Sequence, residues 1–94
     1  MKGEQEISDL FKAAFYQYEG ALCIRCSTMG NSATWFFRVP EFDAEIIEQH
    51  FADQSVTIEF HPFIKAWKAV ESFRNQARRD MGEWTSHLYT QVRQ

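Results

Sequence analysis

An apolar stripe runs through the last third of this chain. At about 100° per residue, Phe63, Ala66, Trp67, Val70, Phe73, Ala77, Met81, Trp84, Leu88 and Val92 fall on one side of a helix. Lys65, Lys68, Ser72, Asn75, Arg79, Glu83, Ser86 and Thr90 fall on the other. The pattern predicts one helix from Pro62 to Gln94, with Pro62 in its first turn. At about 1.5 Å per residue it runs roughly 45 Å, whereas a compact 100-residue domain has a radius of gyration of only about 13 Å. Its far half is expected to overhang the chain's own core and to need a partner. Gly82 is the weak point, because a glycine costs ~1 kcal/mol in a helix interior. The alternative is a break at Asp80-Met81-Gly82 into two shorter helices.

Ahead of the stripe, Ile7, Leu10, Phe11, Ala14, Phe15 and Tyr18 predict a first helix over residues 4–19, with Gly20 as its C-terminal cap. A hairpin follows. Residues 21–27 alternate, Met29-Gly30-Asn31-Ser32 supplies the turn, and residues 33–39 return with Ala33, Trp35, Phe37 and Val39 facing inward. Phe36 is left on the outer face, beside Arg25 or Arg38. Asp43 suits the N-cap of a second helix, Ala44 to Ala52, with Phe42 and Ile47 at hydrophobic-staple spacing. Ile46, Ile47, His50 and Phe51 form its buried side, and Glu45, Glu48 and Gln49 face water. Val56, Ile58 and Phe60 alternate and predict a third strand over residues 55–60. The expected architecture is a single α+β domain over residues 1–94, a two-layer sandwich in the order α-β-β-α-β-α. Its three-stranded mixed sheet is covered by helices, including the long C-terminal one.

Sixteen per cent of the residues are aromatic, so a small core can still be strong. The net charge of −3 argues against a general nucleic-acid binder. No apolar run reaches the ~18 residues of a membrane span, and residues 1–6 carry no apolar signal region. The expected location is cytoplasmic, with Cys23 and Cys26 reduced.

No motif supplies a catalytic constellation, and neither a metal nor a cofactor is expected. Cys23-Ile24-Arg25-Cys26 has redox spacing, but inside a regular strand residues three apart face opposite ways. His50, His61 and His87 lie on separate elements without a partner histidine; Glu59 and His61 share a strand face, too few ligands for a metal. The isolated glycines make no phosphate loop.

Three functional readings follow. The leading one is a non-catalytic homodimeric interaction module that docks on another macromolecule, with Met81, Trp84, Leu88 and Val92 as the dimer interface. The second is a small-ligand binder or minor enzyme with an aromatic pocket between helix and sheet at Trp35, Phe37, Phe60, His61 and Trp67. The third is nucleic-acid binding through Lys65, Lys68, Arg74, Arg78 and Arg79 on the last helix, joined by Phe36, Arg25 and Arg38 on the sheet.

Overall fold

In a computed structural model, residues 4–53 and 55–86 are described, with the side chains at 41 and 42 outside that set. The elements are β1 (Glu4–Ile7), α1 (Leu10–Tyr18), β2 (Leu22–Met29), β3 (Ser32–Arg38), α2 (Glu41–Ala52), α3 (Phe60–Arg79) and β4 (Glu83–Thr85). Among the described residues, four strands form one antiparallel sheet in the order β1-β3-β2-β4. The helices form the other layer. The α+β class, three helices among the described residues and a long helix near the C-terminal end are as the periodicity predicts. The three-stranded mixed sheet is not.

Both edge strands were hidden in segments that read as helix. Ser8 and Asp9 stop β1, and the Asp9 carboxylate accepts a hydrogen bond from the Lys12 amide at 2.9 Å, capping α1 at its true start. Ile7 faces inward opposite Trp35, while Glu6 pairs with Phe36. At the other end, α3 stops at Arg79, so the predicted helix to Gln94 breaks at Asp80-Met81-Gly82. A strand follows the break, not a second helix. Met81 takes φ 64° and Gly82 φ 98°, and the Gly82 amide donates to the Ala77 carbonyl at 2.7 Å, the six-to-one bond of a Schellman turn. The turned chain enters β4 beside β2, where Arg25, Cys26 and Ser27 pair with Thr85, Trp84 and Glu83. At 20 residues, α3 spans ~30 Å, inside the molecule's longest dimension of 39 Å. Helix α3 itself has no overhang; residues 87–94 lie outside the described set.

The third predicted strand is also absent. Residues 56–59 carry no regular structure, and Phe60 already opens α3 with Pro62 in its first turn. Ile58 still packs against the core, so its apolar character reports burial and not sheet pairing. The second helix starts at Glu41, directly after Pro40, and Asp43 lies inside it. The proposed Phe42–Ile47 staple involves a side chain outside the described residues.

The hairpin forms at the predicted place, but with a bulge at Ile24 instead of regular alternation. Gly30 alone of the two turn residues has positive φ, the pattern of a type II′ turn. At Gly20, φ is 98° and the Ala21 amide reaches the Tyr16 carbonyl at 3.0 Å, closing α1 with a Schellman bond. Between these turns the core fills with Phe15, Tyr16, Ile24, Cys26, Trp35, Phe37 and Val70. The Trp35 indole N–H donates to the Val70 carbonyl at 2.9 Å and ties sheet to helix.

Candidate docking surface

Ala13, Ala14, Phe15 and Tyr16 are all buried. Four consecutive buried residues cover the whole circumference of a helix, so α1 is enclosed by the sheet below and by α2 and α3 at its flanks. It runs antiparallel to α3: Tyr18 accepts from the Glu59 amide at one end, and Leu10 shares a cavity wall with Arg74 at the other. The part of α1 that escapes enclosure is Phe11, which is 46% exposed. Its ring lies 5.9 Å from Phe51 on α2, and 5.6 Å from Phe63 and 6.2 Å from Trp67 on α3. Phe51, Phe63 and Trp67 are half-buried. The result is an aromatic surface on the helical layer, turned away from the sheet.

Charge borders this surface in a closed set. Lys12 lies 5.6 Å above the Phe51 ring and pairs with Glu48 at 3.0 Å. Tyr16, wholly buried, donates its hydroxyl to the other oxygen of Glu48. Burial acts to raise the Glu48 carboxyl, but the Tyr16 and Lys12 hydrogen bonds and the Lys12 charge hold it below the usual range. Tyr16 is pushed above the ordinary phenol value by burial, reinforced by its bond to the Glu48 carboxylate. Glu48, expected in water, is thus an anchor between α1 and α2.

The residues singled out in the sequence are distributed differently. Met81 is 98% exposed in the turn after α3, whereas Trp84 on β4 stacks on Phe73 with 4.2 Å between ring centres. They do not share a helix face; Leu88 and Val92, like His87, lie outside the described residues. The five pocket residues are not brought together. Trp35 and Phe37 are in the core, Trp67 joins the aromatic surface, and Phe60 and His61 are exposed at the start of α3. The basic group loses one member: Lys65, Lys68, Arg78 and Arg79 are exposed, while Arg74 is half-buried and lines a cavity beside the sheet. Phe36 retains only 9% exposure, with the Arg25 guanidinium 3.8 Å above its ring. Arg25 in turn lies 3.6 Å from Glu83, so the ring offers no open stacking face for a base.

A bulge changes the cysteine geometry. Cys23 pairs with Phe37 and Arg25 with Phe36, so Ile24 is the extra residue. That insertion places Cys23 and Cys26 on the same face of β2, against the expectation from regular alternation. Both are free thiols in the core. Burial pushes Cys23 up to about 12 and Cys26 up to about 11, leaving them protonated and poorly nucleophilic near neutral pH. Among the described residues, no three His, Cys, Asp or Glu side chains are placed to hold a metal. Among them too, no helix is long and apolar enough to cross a membrane.

Phe11 was legible only as one more member of the first helix's apolar stripe. The missed signal is the density of that stripe: Leu10, Phe11, Ala13, Ala14, Phe15 and Tyr16 exceed one face, so a large ring had to emerge somewhere. No family model, curated protein or solved structure matches this chain.

Proposed function

We propose that the chain is a non-catalytic interaction module that pairs with a second copy of itself through the aromatic surface around Phe11, and docks on another macromolecule in that paired form. The observation that carries this reading is Phe11 itself, 46% exposed amid Phe51, Phe63 and Trp67. Clustered exposed aromatics mark interaction sites more than scattered ones do. The border favours a second copy over a strongly charged partner. Lys12 and Glu48 cancel each other within one chain, so the border carries no net charge that two like copies would have to bring together in a self-complementary interface.

Sedimentation equilibrium of the full chain and of Phe11→Ser tests it. The expected result is a dimer at ~50 µM for the parent chain and association weakened about tenfold or more in the variant, since full burial of a Phe contributes roughly 1.5–3 kcal/mol and each copy would newly cover the exposed half of its ring. Circular dichroism should remain unchanged, because Phe11 is not a core residue. A parent chain that stays monomeric at that concentration, or a variant that dimerises equally well, defeats the self-pairing reading.

A further inference from the structure

A different region of the molecule has the makings of a ligand site. Where the β2–β3 turn, the β1–α1 connection and α3 converge, an open cavity of about 370 Å³ is lined by Ser8, Leu10, Ser32, Thr34, Trp35 and Arg74. Asn31 and Ala33 complete the wall, and no carboxylate belongs to it. The Ser8 and Thr34 hydroxyls lie 3.2 Å apart, satisfying each other. Trp35 is held in place by its bond to the Val70 carbonyl.

Arg74 is the unusual member. Its side chain is largely withdrawn from water, and its Nε atom is buried without a hydrogen-bond partner. The carboxylate paired with it, Glu71, stands 3.9 Å from Nη2, too far for a hydrogen bond. A desolvated cation that is weakly paired is costly. The Nε atom is closed to the cavity; an anion there would pair with the rest of the guanidinium, a fixed fork of donors suited to carboxylate and phosphate oxygens. The hydroxyls add rotatable donors. Leu10 and Ala33 supply an apolar wall over the buried Trp35.

We infer that this cavity binds a small organic acid, its oxyanion held by Arg74 and the Ser8, Ser32 and Thr34 hydroxyls and its compact apolar body placed against Leu10 and Ala33. A carboxylate and a phosphate monoester share this chemistry. The site is separate from the aromatic surface and does not depend on dimerisation.

The test is a titration of the isotope-labelled full chain, followed by amide and indole nuclear magnetic resonance, with benzoate, phenyl phosphate and neutral benzamide. Saturable shifts at Ser32, Thr34 and the Trp35 indole are expected at about 1–10 mM acid. The tighter of the two acids identifies the headgroup. Arg74→Met is expected to weaken binding about tenfold or more. Should that variant fail to fold, Ala33→Leu narrows the cavity with the guanidinium intact and is expected to weaken binding as well. The inference is overturned by a parent chain that shows no saturable shift with either acid, or by benzamide binding as tightly as benzoate. Undiminished binding in folded Arg74→Met, or in Ala33→Leu, overturns it equally.

Discussion

The central hairpin and the edge strands of this sheet are held by different means. β2 and β3 pair along almost their full lengths, and their inward residues Cys23, Cys26, Trp35 and Phe37 lie at the centre of the core. β1 and β4 contribute 4 and 3 residues, and each turns one of its large side chains inward, Ile7 and Trp84. The hairpin is specified locally, by alternation and a glycine turn. The edges acquire strand geometry because the hairpin offers them unpaired backbone groups, a demand that buried sheet borders impose on any segment delivered alongside. Strand identity at the edges is therefore a tertiary property, and damage to the two regions should differ in reach as well as size.

The largest expected effect comes from the hairpin. Trp35→Ala removes a 2% exposed ring and the indole bond to Val70, for a loss of about 3–5 kcal/mol. Small domains have only about 5–15 kcal/mol in total, so a large share of the stability should disappear and the urea midpoint should fall accordingly. Urea denaturation monitored by circular dichroism checks this. A loss below about 1 kcal/mol would mean that sheet and helices are not joined through this ring.

The same contrast explains what the chain discloses as sequence. Trp35, Phe37 and Val39 alternate beside a turn rich in Gly and Asn, so the hairpin can be read without knowing its surroundings. Gly20 likewise marks the end of α1 because its position needs positive φ. Ile7, however, stands three residues before Leu10, a spacing equally suited to a helix, and only the Asp9 cap separates the two. Trp84 continues the spacing of Ala77 and Met81 by coincidence, on the far side of a turn. The bulge at Ile24 has no composition signature at all, and with it the shared face of Cys23 and Cys26 stays hidden. The aromatic surface was visible as an excess of rings, but its location depends on α2 and α3 closing on α1 from both sides. Arg74 was legible as one of the basic residues of the last helix; the cavity it lines is made by three segments distant in the chain.

Gly82→Ala should have an intermediate effect confined to the β4 edge. A Cβ there would stand 3.0 Å from the Thr28 carbonyl oxygen, at φ 98°, so both crowding and backbone strain oppose it. The expected cost is about 1–3 kcal/mol. Hydrogen exchange gives the sharper reading. The Thr28 amide, bonded to the Gly82 carbonyl at 2.7 Å, and the Ser86 amide, bonded to the Ile24 carbonyl at 2.9 Å, should exchange faster. Amides linking β2 to β3 should not. Uniform acceleration across the sheet would break the distinction between hairpin and edge.

The smallest effect, and the one of opposite sign, lies one residue earlier. Met81 holds φ 64° at the position where α1 uses Gly20. A left-handed non-glycine residue costs roughly 1–2 kcal/mol, and the 98% exposed Met81 side chain gives little packing in return. Replacement by glycine also loosens the unfolded chain, which takes back about 0.4–1 kcal/mol. The balance favours Met81→Gly by up to about 1 kcal/mol, seen as a higher urea midpoint and slower exchange at Thr28 and Ser86. If the variant is instead less stable, Met81 must be covered by something in solution, and the edge strand would then owe part of its order to that contact rather than to the hairpin.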